Sequence, residues 1–265
     1  MNKIKIVLAL LLALALYSCV DTEERIVIKA DQSGTYSLTI DLGKLIELAN
    51  QMIPDSTREG KPKEKKDSTI YFKSFIDTAQ NLTTEEKNLY RDGYLHINMD
   101  EANNKMKIEM GCPFKNSNQL TEVKNNFLKV ADKLNVFSKT KGGANLNEIS
   151  ENAAGAEKGF DDKSINPLGG NSVFTAAPGK ISNTIKLTDE MKQNIANDST
   201  LALMQQMSMM TGEMTYRTVF VLPKAPKLAE GPGKILSADG KTVTFSFSLT
   251  DMMENPEKGS YKIEY

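Results

Sequence analysis

The sequence is poor in the residues on which most catalytic and metal sites depend. Its 265 residues include two cysteines, one histidine and no tryptophan. These numbers are too low for a cysteine–histidine zinc cluster or for a scaffold held by several disulfides. A single histidine also excludes most Ser–His and Cys–His catalytic schemes, except those built on that one residue. The composition therefore argues against an enzyme of these classes, and it predicts no cofactor and no metal.

Neither sign of charge is in excess. The chain has 33 basic and 34 acidic residues, which gives a formal net charge of -1. A protein that binds nucleic acid needs a concentrated basic face to displace counterions, so the balance argues against a nucleic-acid partner. With 40% hydrophobic and 25% charged residues, the composition is that of a folded globular protein.

The first 18 residues predict a signal peptide. Lys3 and Lys5 precede an unbroken apolar run over residues 6–17. A helix over this run rises about 18 Å, whereas a hydrocarbon core is about 30 Å thick. A basic start followed by a short apolar run is typical of a secretory signal peptide.

The end of this run, Leu16-Tyr17-Ser18-Cys19, resembles the lipobox of bacterial lipoproteins. The resemblance implies that residues 1–18 are a lipoprotein signal peptide and that Cys19 receives a diacylglycerol. Several acyl chains, palmitate among them, would anchor the protein stably in a membrane. The alternatives are an ordinary signal peptide with a cysteine nearby, and an uncleaved N-terminal anchor.

Acidic residues follow Cys19 directly. Residues 19–24 (CVDTEE) predict a solvated acidic tether. An acidic cluster at this place also resembles a surface-export signal of one group of Gram-negative bacteria. The expected location is the cell envelope, lipid-anchored in the outer membrane, on either its periplasmic or its surface face.

The same bacterial group attaches O-linked glycans to an Asp-Ser or Asp-Thr pair followed by an apolar residue or threonine. Four such triplets occur here, where average composition predicts about one. Because Asp-Ser-Thr also favours turns and helix starts, a structural explanation stays open. The candidate glycosylation sites are Ser56, Ser68, Thr78 and Ser199.

Apolar residues that alternate with polar ones predict several β-hairpins. Strands joined by short turns are expected at 25–31 with 34–42, at 94–100 with 105–114, and at 234–237 with 241–249. Further strands are expected at 173–176, 180–187, 211–222 and 261–265.

The clearest helix is predicted over residues 117–136, with apolar residues at spacings of three and four. Other helices are expected at 45–53, 68–79 and 83–93, and from 188 towards 210. We expect an α+β fold with a mainly antiparallel sheet and helices packed on one face. It forms a single body over residues 25–265, in which 54–67 and 138–171 are expected to be flexible.

The C-terminal strands carry a second resemblance. Tyr216-Arg217-x-Val219-Phe220-x-Leu222-Pro223 and the later stretch 237–245 (SADGKTVTF) are similar to the LppM-type lipoprotein domain. The resemblance implies an envelope lipoprotein domain that binds a lipid or a glycolipid. It supplies no catalytic residue to carry over to this sequence.

Two residues with reactive side chains have ordinary structural explanations. His96 alternates in phase with Tyr94 and Asn98, which predicts a surface or hydrogen-bonded strand residue. Cys112 alternates in phase with Met110, which predicts a buried thiol that acts as a small apolar residue.

Methionines are concentrated near the start of the last third of the chain. Three explanations remain open: packing in the core, a soft apolar surface for a lipid or partner, and binding of Cu(I) by thioether sulfur. The methionines concerned are Met204, Met207, Met209, Met210 and Met214.

Together these patterns predict a non-catalytic lipoprotein of the cell envelope that binds a lipid, a glycolipid or another apolar ligand. The alternative is a structural or accessory subunit of an envelope protein complex. The expected partners are the membrane, through Cys19, an apolar ligand and an envelope protein.

Overall fold

The computed structural model describes residues 21–52, 65–134, 172–189 and 212–265, together with isolated residues between 192 and 209. Several of the predicted features therefore lie outside the described residues. These are the signal peptide, Cys19, the candidate glycosylation sites Ser56 and Ser199, the segment 138–171 and most of the segment 54–67.

The described strands form an eight-stranded and a four-stranded sheet. In chain order the strands are β1 (Asp21–Ile28), β2 (Gly34–Asp41), β3 (Lys65–Tyr71), β4 (Tyr94–Asp100), β5 (Lys105–Phe114), β6 (Ser172–Ala177), β7 (Lys180–Ile185), β8 (Thr215–Val221), β9 (Leu228–Glu230), β10 (Ile235–Leu236), β11 (Thr242–Ser248) and β12 (Tyr261–Glu264). The helices are α1 (Gly43–Met52), α2 (Lys73–Ile76), α3 (Thr84–Tyr90), α4 (Ser117–Lys133) and α5 (Leu249–Glu254), with 3₁₀ turns at Glu101–Asn103 and Pro256–Gly259.

The larger sheet has the strand order β10-β11-β8-β1-β2-β5-β4-β3, and the smaller one has β6-β7-β12-β9. All neighbouring strands are antiparallel except β1 and β8, which run parallel. Because β1 lies between β2 and β8, the first strand of the described chain is in the interior of the sheet. This arrangement confirms the predicted α+β fold with a mainly antiparallel sheet.

Helix α4 joins the two sheets. It packs against β2 and β5 of the larger sheet and against β6 of the smaller one. Its apolar face is buried, as the spacing predicts. Phe127 lies at the centre of this face, and the centroid of its ring is 5.4 Å from that of Tyr36 and 6.1 Å from that of Tyr90. On its other flank, Asn125 Nδ2 donates to the carbonyl of Phe174 at 3.0 Å, and Thr121 Oγ1 accepts from the Ala176 amide at 2.9 Å.

The predicted start of helix α3 is confirmed. Thr83 is its N-cap, and the Thr83 hydroxyl and the Glu86 carboxylate each accept from the other residue's backbone amide. This reciprocal capping box satisfies two amides that the first turn of a helix leaves without partners. Lys133 at the end of α4 donates to the same carboxylate at 2.7 Å, which ties the two helices together.

Two segments differ from the prediction. Residues 21–24 of the predicted acidic tether belong to β1, where they pair with both β2 and β8 and bury Glu24. Residues 65–71 form the edge strand β3, although the sequence predicts a loop to residue 67 and a helix from residue 68. Hydrogen bonding to β4 satisfies the backbone there, and the helical pattern persists only in the single turn α2.

Within the described residues, no helix is both long enough and apolar enough to span a bilayer.

Candidate functional site

A recess opens where the two sheets and α4 meet. The space within it that water molecules can occupy is about 30 Å³, and the volume rises to about 420 Å³ only when the space open to solvent is included. Its polar lining consists of Glu24, Lys124, Ser172, Asn183, Tyr216, Thr218 and Tyr261. The inner part of the recess therefore has room for one or two water molecules, and a larger ligand would lie mostly in the open part.

A buried ion pair lies at the wall of this recess. Glu24 on β1 is 5% exposed, and the Lys124 side chain on α4 is 11% exposed. Lys124 Nζ donates to Glu24 Oε1 at 2.6 Å and lies 2.5 Å from Oε2. It also lies 5.5 Å from the centroid of the Phe174 ring, a cation–π contact. Since a buried charge is costly without a partner, each member of the pair depends on the other.

Two tyrosines complete the surroundings of the Glu24 carboxylate. Tyr36 Oη donates to Glu24 Oε1 at 2.9 Å, and the Tyr216 side chain is also hydrogen-bonded to Glu24. Burial, followed by the negative charge of Glu24, raises the pKa of both phenols well above the ordinary value. At neutral pH these hydroxyls are therefore protonated donors to the carboxylate.

Two other buried polar atoms lining the recess lack partners. Asn183 Oδ1 and Tyr261 Oη make no hydrogen bond to any of the described residues, and each residue is 7% exposed. The Thr218 hydroxyl lies beside Tyr261 Oη without completing a hydrogen bond. Unpartnered buried polar groups are rare and costly, so a pair of them in one recess indicates a place for a water or a ligand.

Apolar side chains form the rest of the wall. Ile185 from β7, Phe247 from β11 and Met252 from α5 lie beside the polar groups. The recess therefore presents a polar side and an apolar side to whatever enters it.

The structure places His96 where its phase predicts. It lies on β4 with its Nδ1 2.9 Å from Thr69 Oγ1 and its Nε2 3.6 Å from Asp67 Oδ1. It is a hydrogen-bonded strand residue at the side of the sheet away from the core, and it does not line the recess.

Cys112 is buried on β5, as predicted. It is 1% exposed, and burial, with a smaller effect of the Asp92 charge, raises its pKa to about 12. A thiol in this state is protonated at neutral pH and is a poor nucleophile.

The structure describes two of the clustered methionines and two of the candidate glycosylation sites. Met214 is buried and Met209 is 77% exposed, so at least two environments occur within the methionine-rich segment. Thr78 is exposed just after α2, whereas Ser68 is half-buried in β3. No group of three or more His, Cys, Asp or Glu side chains arranged for a metal occurs among the described residues.

Sequence reasoning missed the Glu24–Lys124 pair. Glu24 has the same phase as Ile26 and Ile28, the buried residues of β1, and this alternation was the available signal for an inward-facing carboxylate. Lys124 lies four residues after the buried Leu120 and three before the buried Phe127, a spacing that places it on the same side of α4. Because residues 21–24 were interpreted as a solvated tether, Glu24 was not expected to be buried and its pairing with Lys124 was not considered.

Comparisons with known proteins give one structural similarity. No protein-family model and no curated protein sequence matches this chain. The NMR structure of the folded domain of Mycobacterium tuberculosis LppM is similar to it with a TM-score of 0.32 and 8% sequence identity, over 94% of this chain and 91% of that chain. A similarity of this size does not assign the chain to a family.

Proposed function

We propose that this chain is a non-catalytic lipoprotein of the cell envelope whose recess binds an amphipathic ligand. The observation that carries the binding role is the recess itself, where two unpartnered buried polar atoms lie beside an apolar wall. The envelope location is supported by the sequence of residues 1–19, which resembles a lipoprotein signal peptide and its lipobox.

The position of β1 agrees with an anchor at Cys19. The strand begins at Asp21, so Val20 is the single residue between the cysteine and the sheet. An acyl group on Cys19 would hold the Asp21 end of the larger sheet against the bilayer. We place the protein in the outer membrane, with Thr78 as the described glycosylation site most accessible to a transferase.

The chemistry of the recess supports binding without catalysis. Glu24 and Lys124 are engaged with each other, and the tyrosines beside them stay protonated at neutral pH. Cys112 is buried away from the recess. None of these groups is poised as a general base or a nucleophile.

The anchor is tested by replacing the cysteine. In the native host, Cys19→Ala should move the protein from the membrane fraction to the soluble fraction, because the acylated thiol is lost. Cys112→Ala is the matched control and should stay in the membrane fraction. Equal retention of both variants in the membrane fraction would contradict the lipid anchor.

The binding role is tested by native mass spectrometry of the protein after gentle removal of detergent. We expect a fraction of the molecules to carry a co-purifying amphipathic molecule. A single unliganded mass for protein taken from its native host would contradict the proposal.

A role as an accessory subunit of an envelope complex is the second candidate. The observation in its favour is the edge strand β10, where Ile235 and Leu236 are 62% and 48% exposed. An exposed apolar edge can pair with a strand of another chain. A photo-crosslinker at position 235 should then give one dominant protein adduct in intact cells, whereas a pure ligand carrier should give none.

A further inference from the structure

We infer that the protein contacts the lipid head groups end-on, through the surface at the end of the larger sheet where β1 starts. This surface, the anchor end, consists of Gly43 at the start of α1, the turn Glu101–Asn103 with Asn104, and Lys105 at the start of β5. The inference rests on the proposed lipid anchor at Cys19 and deepens it by naming the surface that meets the membrane. It is carried by the short connection between that cysteine and a strand in the interior of the sheet.

The connection between Cys19 and β1 is too short to let the protein move freely above the membrane. Val20 is the single residue between the cysteine and Asp21, where β1 begins. Two extended residues span about 7 Å at most, and the head-group layer on each side of a bilayer is about 5–7 Å thick. A lipid on Cys19 therefore keeps Asp21 at the surface of the head-group layer.

Fraying of β1 would be a costly way to lengthen this connection. Asp21 already pairs with Asp41 on β2 and with Thr215 on β8, so the strand is held on both edges from its first residue. Releasing it would leave backbone groups of three strands without partners and would withdraw Glu24 from its buried pair with Lys124. The lipid is therefore attached almost directly to the interior of the sheet.

The register of the sheet identifies the residues that lie at the level of Cys19. Asp21 is opposite Asp41 on β2, and Asp41 is opposite Lys107 on β5. Cys19 precedes Asp21 by two residues. Lys105 precedes Lys107 by two residues and runs in the same direction along the sheet, because β1 and β5 are both antiparallel to β2. Lys105 and the turn before it therefore project towards the membrane together with Cys19.

The start of α1 and the turn between β4 and β5 form one continuous surface at this end. A Cβ atom at Gly43 would lie 2.8 Å from the Asn104 carbonyl oxygen, so the two backbones are in close contact. Asn50 Nδ2 on α1 also donates to Asn104 Oδ1 at 2.8 Å. The helix and the turn therefore meet the head groups as a unit.

The charges near the anchor end do not form a basic patch. Lys107 lies 3.2 Å from Asp41, and Lys65 lies 3.4 Å from Asp100. Anionic lipids attract segments in which basic residues are concentrated, whereas these lysines are paired with carboxylates. The contact with the membrane should therefore be imposed by the lipid on Cys19, and it should form on a bilayer of zwitterionic lipids.

The alternative arrangement, with the larger sheet lying flat on the membrane, would place charged side chains against lipid. On the face of the sheet away from the core, Glu23 lies 3.7 Å from Arg25 and 3.8 Å from Arg217. Removing such groups from water is costly. The end-on arrangement leaves them in contact with solvent.

The experiment compares fluorophores at two exposed alanines, Ala102 in the anchor end and Ala30 in the turn after β1. Along β1 the chain rises about 3.3 Å per residue, so position 30 should lie more than about 20 Å further from the membrane than Asp21. The labels are attached to Ala102→Cys and, as the matched control, Ala30→Cys. Cys112 is 1% exposed, and Cys19 is acylated, so the new cysteine is the one that reacts.

The measurement is quenching of each fluorophore by nitroxide-labelled head groups, with the acylated protein reconstituted in phosphatidylcholine vesicles. We expect the label at position 102 to be quenched several-fold more strongly than the label at position 30. Equal quenching at the two positions, or stronger quenching at position 30, would overturn the inference.

A longer connection tests the cause of the orientation. A flexible Gly-Ser linker of about eight residues, inserted after Val20, has a root-mean-square length of about 16 Å. It leaves the lipid and the sheet intact, so the protein should stay in the membrane while quenching at position 102 falls several-fold. Unchanged quenching at position 102 would show that the short connection does not set the orientation, which overturns the inference.

Failure of the orientation and failure of the anchor give different results. If the two labels are quenched equally while Cys19→Ala still releases the protein from the membrane, the end-on contact is wrong and the proposed anchor stands. If the intact mass of the reconstituted protein shows an unmodified Cys19, the proposed anchor is wrong and the inference fails with it.

Discussion

Glu24 and Lys124 form an ion pair whose burial is costly. Both side chains are almost fully removed from water, and their charges are compensated by each other, by the Tyr36 hydroxyl and by the Phe174 ring. Such pairs are often no more stabilising than apolar residues of similar volume, while the loss of one partner is strongly destabilising. The pair is therefore better explained by the recess that it lines than by stability.

Replacing one residue of the Glu24–Lys124 pair should show that each charge depends on the other. Lys124→Met should lower the free energy of unfolding by about 3–5 kcal/mol, because the Glu24 carboxylate is left buried without its cation. The double variant Glu24→Gln with Lys124→Met should recover a large part of that loss. Urea unfolding of the single variants and the double variant provides the measurement.

The matched control for this cycle is Lys107→Met. The Lys107 side chain is 61% exposed and lies 3.2 Å from Asp41 in an ion pair on the surface. Exposed pairs contribute about 0–1 kcal/mol, so this variant should have little effect. If the losses from Glu24→Gln and Lys124→Met simply add in the double variant, the two side chains are not coupled as described.

At the residue scale, the alternation of residues in the sequence predicts the face of a strand on which a side chain lies. Cys112 and His96 lie on the faces that strand alternation assigns to them. The pairing of Glu24 with Lys124 depends on contact between a strand and a helix that are distant in the chain. No local pattern encodes this contact, so the recess that it lines could not be predicted.

At the scale of the elements, the β1–β2 hairpin depends on the close approach of the Gly34 backbone to β1 and to the Phe114 ring. A Cβ atom at Gly34 would lie 1.8 Å from the Val27 carbonyl oxygen and 2.6 Å from the Phe114 ring. The first neighbour is backbone of the paired strand, which cannot move aside without breaking the register. Position 34 therefore requires glycine for reasons of space.

Gly34→Ala should destabilise the protein by about 3 kcal/mol, because the added methyl group separates β1 from β2 and displaces Phe114. Ser37→Ala on the same strand is the control and should cost less than about 1 kcal/mol. Chemical denaturation of both variants checks the difference. Equal stability of Gly34→Ala and the parent protein would show that the hairpin accommodates a side chain at this position.

Elements with a clear period are predicted well, and the edge strand is not. Strands β2 and β11 follow a period of two, and α4 follows the helical period. In β3 exposed and half-buried residues alternate, but the half-buried ones are Lys66, Ser68 and Ile70, so the sequence shows almost no alternation of apolar and polar residues. The apolar residues from Phe72 to Ile76, which belong to the turn after it, impose a helical pattern on the whole segment.

For the molecule as a whole, buried cysteine and tyrosine side chains make the free energy of unfolding depend on pH in the alkaline range. Burial raises the pKa of Cys112 from an ordinary 9.0 to about 12, and it raises that of Tyr36, Tyr216 and Tyr261 well above 10.0. In the unfolded chain the cysteine loses its proton near pH 9 and the tyrosines lose theirs near pH 10, while the folded protein keeps these protons. The unfolded state then binds fewer protons, so the free energy of unfolding falls as the pH rises.

This contribution is fully present below pH 9 and is lost as the pH rises towards the folded pKa values. Each group adds a slope of about 1.4 kcal/mol per pH unit once its unfolded form ionises. Urea unfolding between pH 7 and pH 10.5 should show a steep decline above pH 9. Cys112→Ala should make the decline between pH 9 and pH 10 shallower, whereas a flat profile in the parent protein would contradict the burial of these groups.

The central place of β1 has a consequence for the order in which the protein assembles. Ile26 on β1 pairs across the sheet with Phe220 on β8. Among the described strands β1 is synthesised first, and its edge towards β8 stays unpaired until β8 has been synthesised. Contacts between such distant parts of a chain slow folding. During that interval the uncovered edge of β1 is open to pairing with other chains, and truncation before β8 should convert a folding delay into aggregation.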